Sequence, residues 1–237
     1  KNPFSYDDNI MSNAINYGAI DLIDKAVPEE AFKWTVPIEK APDKPELIEI
    51  EFKNGIPVGF NGQKMKLATL FQKLNTLGRS HGIGRVDMIE NGLYGNKFKW
   101  VYEDPAAQMI IYAHKELEKL ILPKETVWFK HNLIDKKWTQ LVYQSLVYSP
   151  LAKSLMAFIE SLQKYIQGKI SLKLYKGSFI VIKRQAKGSL VGIDSHSFKL
   201  REEFDTVPFG FEEYLFSSKH PEVFANHLGF AKEKNYE

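Results

Sequence analysis

Residues 78–105, GRSHGIGRVDMIENGLYGNKFKWVYEDP, decide how this chain is read. Five glycines fall in the stretch (Gly78, Gly82, Gly84, Gly92 and Gly95), together with Asp87, Glu90, Arg79, Arg85, Lys97, Lys99 and Tyr102. Glycine lets a backbone turn sharply or approach a ligand closely. A carboxylate at a strand end can accept hydrogen bonds from an ammonium or ureido group. Asp87 and Glu90 read as buried carboxylates, and the plainer reading is that the glycines shape turns while Asp87 pairs with Arg85 or Arg79. Arg85–Glu90 reads as a strand, and Lys99–Tyr102 extends again beyond Gly92 and Gly95. Asp104-Pro105 then opens a helix. Asp can accept backbone N–H bonds as an N-cap, and Pro at the first helical position gives up no hydrogen bond.

Upstream, Lys44–Phe52 sets Ile48, Ile50 and Phe52 against Leu47, Glu49 and Glu51, the period of two of a half-buried strand. Asn54-Gly55 is a hairpin turn, and Ile56–Phe60 is the return strand. Met65–Leu77 places Leu67, Leu70, Phe71, Leu74 and Leu77 at helical spacing, with Gly78 as the stop. Lys1–Pro42 carries no clean period and reads as an extended segment with short helices at most. Downstream, the helix from Pro105 runs to about Leu122 with Met109, Ile110, Ala113, Leu117 and Leu120 inward. A second helix follows Pro123, and a third opens at Ser149-Pro150 and ends at Gly168, their Trp and Phe residues forming core. Lys169–Tyr175, the turn Lys176-Gly177 and Phe179–Arg184 make a hairpin. Glu202–Glu237 is an aromatic-rich tail with a short helix over Pro221–Leu228. Hairpins and helices in mixed order, without βαβα alternation, specify an α+β fold.

Hydrophobic residues at 44% and charged residues at 26% suit a globular chain able to bury a core. A net charge of +3 is too mild to imply nucleic acid and is compatible with anionic small substrates. The absence of cysteine excludes disulfides, thiolate catalysis and thiolate zinc sites, and fits a reducing cytoplasm. No apolar run reaches the roughly 18 residues of a membrane span. His114 and Glu118 sit at i, i+4 but lack a third metal ligand.

The stretch His81-Gly82-Ile83-Gly84-Arg85, Asp87, Glu90-Asn91, Gly95, Lys97, Tyr102-Glu103 and Pro105 resembles the signature of the argininosuccinate synthase family. That signature reads approximately HGIGRIDIVEN, then G-x-K-S-R-G-x-Y-E-x-P. Phe4–Ile10 is similar to the family's W-S-x-D-E-N-L, and Lys40–Val58 to its A-P-x-x-P…I-x-I-x-F-x-x-G-x-P-V. Ala113-His114, Leu117-Glu118 and the LKLYKG of Leu172–Gly177 continue a collinear match over about residues 3–200.

The resemblance implies part of an ATP-dependent ligase that adenylates citrulline to citrullyl-AMP and then joins it to aspartate. It assigns citrulline contacts to Ser5, Glu90 and Tyr102. It also implies a citrulline-binding and multimerisation domain over residues 1–200 and an oligomer-forming tail over 201–237. ATP with Mg would be held mainly by an amino-terminal domain, whose S-G-G-x-D-T-S loop this chain lacks. The expected partners are citrulline, aspartate, that nucleotide domain and further copies of the chain (a tetramer in the family), with no nucleic acid and no membrane. Lys1 falls where the family's nucleotide domain ends, so the chain is expected to be a piece of a longer protein, inactive alone and cytoplasmic.

Departures from the pattern are specific. A second family serine, nine residues after Ser5, is Ala14. K-S-R-G has become Lys97-Phe98-Lys99-Trp100, trading a planar guanidinium for an ammonium and placing an indole where the family has no side chain. The small pair after Y-E-x-P is Ala106-Ala107, and the chain beyond about Leu200 matches poorly. These differences leave two alternatives open: a non-catalytic module derived from the family, or a ligase domain for a different ureido or amino-acid substrate.

Overall fold

The computed structural model describes residues 3–92, 94–191, 216, 219 and 220. The chain divides into two compact units. The first takes the described residues of Lys1–Phe52, Ile56–His114 and Lys169–Arg184; the second takes those of Lys53–Gly55, Lys115–Gly168 and Gln185 onward.

The first unit holds two sheets. One has the order β1 (Ser5–Asp8), β2 (Asn13–Asn16), β7 (Lys97–Glu103), β6 (Arg85–Asn91), and its three strand pairs are antiparallel. The other has the order β5 (Gln63–Lys64), β4 (Ile56–Phe60), β3 (Glu46–Lys53), β8 (Gly168–Tyr175), β9 (Ser178–Ala186). Antiparallel sheets with helices outside any regular alternation make this an α+β fold, as the element order implies. Ile48, Ile50 and Phe52 on β3 and Ile170, Leu172 and Leu174 on β8 are buried, so the period of two read from the sequence is the packing period.

The stretch before Pro42 corrects the sequence reading. It contains β1 and β2 as well as 3-10 turns at Gly18–Asp21, Glu29–Ala31 and Ile38–Lys40. Four-residue strands show too few alternations to reveal a period. These two exist because β2 pairs with β7, ninety residues away, and buries Ile15 with Phe4, Ile20, Ala31 and Val101.

Helix α1 (Leu67–Ser80) runs through Gly78 rather than stopping there. A Cβ at Gly78 would stand 2.4 Å from that of Pro105 and 3.2 Å from Met109 Cε, so this glycine serves close packing. Helix α2 (Pro105–Ile121) begins at the expected proline, but its cap differs. The Ala106 N–H donates to Asn75 Oδ1 of α1 at 3.0 Å, while Asp104 Oδ1 accepts from the Gln108 side chain at 2.6 Å. Burial raises the Asp104 carboxyl above its ordinary pKa.

Gly84 joins α1 to β6 with φ +104°. A Cβ there would lie 2.5 Å from Pro105 N, and the Gly84 carbonyl accepts the Asp104 N–H at 3.0 Å. Gly84→Ala is therefore expected to cost about 2–3 kcal/mol, from a forbidden backbone and a backbone collision together. Urea denaturation checks this; a loss under half a kilocalorie, within the scatter of surface substitutions, would contradict it.

In the second unit, α3 (Lys124–Phe129), a π-helical turn (Lys130–Ile134) and α4 (Asp135–Tyr143) follow in succession. Helix α5 (Pro150–Gln163) has the Ser149 cap read from sequence, Ser149 Oγ accepting the Ala152 N–H at 3.2 Å. It ends before Gly168, which opens β8 instead, with its Cα beside the Gln185 carbonyl. The aromatic stripe is only partly core: Trp128 is 56% and Phe129 41% exposed, although Phe129 packs edge-on against Phe158. The expected tail helix over Pro221–Leu228 lies outside the described residues.

Candidate functional site

Directly opposed residues in an antiparallel pair share a face, as do alternate residues along a strand. Ser5 stands opposite Asn16, Asp7 opposite Ala14, Ala14 opposite Tyr102, Met88 opposite Trp100, and Glu90 opposite Phe98. One face of the β1-β2-β7-β6 sheet therefore carries Ser5, Glu90 and Tyr102 together. The register brings all three onto one surface from segments as far apart as 97 residues.

On that face the Tyr102 hydroxyl donates to Glu90 Oε1 at 2.5 Å. The Trp100 ring stacks on Tyr102, with centroids 6.0 Å apart and planes 15° from parallel. Phe98 and Met88 are exposed beside them, and Glu90 is half-buried. Carboxylate, phenol and serine hydroxyl on an open surface can accept from an ammonium or ureido N–H and exchange hydrogen bonds with a carboxylate. Asn16 joins them, a residue the sequence reading did not single out. Its Oδ1 is buried without a hydrogen-bond partner among the described residues, an acceptor beside Ser5. β2 is followed by Tyr17, whose φ of 68° and ψ of 172° fall where glycine normally sits, a strain of about 1–3 kcal/mol.

The opposite face is structural. Glu103 is fully buried and its carboxylate accepts from Asn13 Nδ2 (2.7 Å), the backbone N–H of Lys33, Trp34 and Thr35 (2.7–3.1 Å), and Thr35 Oγ1 (2.7 Å). Arg85 donates to Thr35 Oγ1 and, in a two-bonded fork, to Glu29 at 2.7 and 3.0 Å. That guanidinium holds the Glu29 carboxyl below its ordinary pKa and lies over the Phe32 ring at 3.8 Å. Arg79 lies over Trp34 at 3.6 Å, and burial lowers its pKa.

Several expectations change here. Asp87 is not buried: its side chain is 51% exposed, and its partner is Lys99 at 3.4 Å rather than Arg85 or Arg79. Lys99 also donates to the Leu22 and Lys25 carbonyls, each at 3.3 Å, on the face away from Glu90. The arginine-to-lysine departure therefore lies off the candidate surface, while Ala14 and Trp100 lie on it. Ala106 and Ala107 are buried in the first turn of α2. His114 packs against the Phe52 ring at 5.8 Å, and no group of three or more His, Cys, Asp or Glu able to hold a metal ion occurs among the described residues. Among those residues no helix is long and apolar enough to cross a membrane.

The fold is α+β, and its four-stranded antiparallel sheet carries Ser5, Glu90 and Tyr102 on one face and the anchored Glu103 on the other. The profile of the arginosuccinate synthase C-terminal domain matches residues 4–214, and the chain belongs to that family. It is 44% identical over 202 residues to the argininosuccinate synthase of Pyrococcus furiosus, an overlap of 85% of this chain and 49% of that protein. It is 44% identical over 183 residues to that of Pyrobaculum aerophilum, covering 77% of this chain and 46% of the relative. With that of Synechococcus sp. it shares 40% identity over 203 residues, covering 86% and 50%. The chain spans about half the length of these curated relatives.

Proposed function

We propose that this chain is the carboxy-terminal part of an ATP-dependent carbon–nitrogen ligase of arginine biosynthesis, which joins citrulline to aspartate through citrullyl-AMP. The observation that carries the proposal is the shared face of Ser5, Glu90 and Tyr102. Glu90 accepts the hydrogen bond of the Tyr102 O–H on Oε1 and keeps Oε2 for a ligand ammonium. The Ser5 hydroxyl would meet the ligand at the other edge of the face, fixing its orientation for reaction.

A polyphosphate does not fit this surface. The charged groups that the register puts on it are the carboxylates Asp7 and Glu90, and among the paired strand residues of this face there is no lysine or arginine. ATP and its Mg, together with most aspartate contacts, fall to an amino-terminal nucleotide-binding domain. Residues 1–200 would then bind citrulline and support assembly, and 201–237 would make contacts between copies in a cytoplasmic homo-oligomer such as a tetramer. Exposed Trp128, Phe129 and Leu133 add apolar surface suited to such assembly. The isolated chain is inactive on this reading.

Supplied with a nucleotide-binding domain, the chain is expected to release pyrophosphate in a citrulline-dependent manner, and Glu90→Ala to abolish both release and citrulline binding by calorimetry. Unchanged binding by the Glu90→Ala protein would refute the site. Ala14 and Trp100 on the ligand face favour a second reading, a module that kept the fold and lost citrulline; absence of release at saturating ATP and citrulline would select it.

A further inference from the structure

We propose that Trp100 is a specificity-determining residue that closes part of the sheet face beside Glu90 to a citrulline-sized ligand. The inference rests on the reading that this face binds citrulline. Tyr102 stands opposite Val86, and Glu90 lies four residues further along β6. That register separates them by roughly 13 Å of strand. The phenol must therefore lean along β7 for its hydroxyl to reach Glu90 Oε1 at 2.5 Å.

Trp100 and Met88 form the row between them. The indole lies nearly parallel to the leaning phenol, 6.0 Å from it, so it holds that ring over and fills the space alongside. A ligand head bridging to Glu90 from the Ser5 and Ala14 side crosses β7 beside the indole, with Phe98, opposite Glu90, on the indole's other side. Ala14, opposite Tyr102 on β2, leaves the other side of the phenol without a hydroxyl that could draw the ligand past it. In the signature that this chain resembles, glycine stands at position 100 and leaves the row open. Lys99 points to the other face and supplies no compensating contact here. Filled volume discriminates steeply between ligands: a single methylene is worth about 10- to 200-fold, and an indole is far larger.

The test compares citrulline binding by calorimetry for the wild-type chain, Trp100→Gly, Trp100→Phe, and Glu90→Ala in the wild-type and Trp100→Gly backgrounds. Trp100→Gly is expected to bind at least about tenfold more tightly than wild type, with Trp100→Phe between them and Glu90→Ala erasing binding in both backgrounds. Thermal melts establish that Trp100→Gly is folded, and the phenylalanine variant keeps a ring in the strand if the glycine variant is not. As a ligand-independent readout, the Tyr102 ring should flip slowly by NMR in wild type and rapidly in Trp100→Gly.

Equal or weaker citrulline binding by Trp100→Gly, in a chain whose binding Glu90→Ala abolishes, overturns the gate alone. Weaker binding would make the indole a platform for ligand instead. A gain in Trp100→Gly that survives Glu90→Ala sinks the reading of the face, and no binding by any variant sinks both. Identical ring-flip rates overturn the claim that Trp100 holds Tyr102.

Discussion

Glu118→Ala is expected to lower the stability of the chain by about 3–5 kcal/mol, because it removes one of the two carboxylates that offset a buried ammonium and takes away the partner of the Gln163 and His131 side chains as well. Glu118 is fully buried on α2. Its Oε1 lies 3.1 Å from Lys130 Nζ and accepts from Gln163 Nε2 at 2.7 Å, and its Oε2 meets His131 Nε2 at 2.6 Å. Lys130 is itself 5% exposed and has one further carboxylate partner, Asp135, at 2.9 Å. Consecutive side chains on an α-helix point about 100° apart, so Lys130 and His131 would not both reach one carboxylate without a local change. They sit in the π-helical turn, and a wider turn at this point gives the cluster its geometry. Urea and thermal denaturation measure the cost. For a domain of this size each kilocalorie lowers Tm by about 2–4 °C. Glu118→Leu combined with Lys130→Met should recover most of the loss, since removing both charges leaves neither one stranded. A single-variant loss below 1 kcal/mol would show that water reaches Lys130 in the folded protein.

Glu103→Ala is expected to cost a similar amount, about 3–5 kcal/mol, for a different reason. Its carboxylate is the acceptor for three consecutive backbone N–H groups, of Lys33, Trp34 and Thr35, and for the side chains of Asn13 and Thr35. Without it, donors in a fully buried place lose their partner, and each unsatisfied one costs about 1–3 kcal/mol. Glu103→Gln keeps the volume but turns an amide NH2 toward other donors, so it should recover little. Hydrogen exchange at the three amides distinguishes a local from a global effect: exchange should accelerate at residues 33–35 first. If both variants keep wild-type protection there, the carboxylate does not anchor that segment. Because Glu103 follows Tyr102 on β7, loosening it should also weaken the citrulline binding proposed for the opposite face, although no group proposed to touch citrulline is removed.

Neighbours in sequence thus divide between the two tasks. Tyr102 serves the open face and Glu103 the anchored one, as strand alternation requires. The same alternation sorts the departures in Lys97-Phe98-Lys99-Trp100. A reading by spacing treats these four residues as one altered loop, whereas β7 sends Lys99 to the Leu22 and Lys25 carbonyls and Trp100 onto Tyr102.

Elements with a long, clean period were legible in the sequence. The β3–β4 and β8–β9 hairpins, α1, α2 and the Ser149 cap of α5 all carry their signal within ten or so residues, so local chemistry suffices to place them. The family was legible as collinear motifs, and the resemblance picked out Ser5, Glu90 and Tyr102, which the register then brings onto one face. What local chemistry could not supply was any feature whose partner is distant. Beta1 and β2 are too short to show a period and form because β7 pairs with them. Gly78 looked like a helix stop and proved a packing contact with Pro105. Asp104 looked like a cap, yet Asn75 takes that role.

The sequence by itself determined the α+β class, from hairpins and helices in mixed order along the chain, and, with the stretch 78–105 as its most specific part, the family to which the chain belongs. Only the tertiary structure decided which of its side chains share a face. That choice depends on register, because a shift of one residue would put Glu103 in place of Tyr102 and Val101 in place of Trp100. Register is set by burial of Ile15 and Val101 on the far side of the sheet and by the buried carboxylate of Glu103. These are long-range contacts that no local pattern encodes.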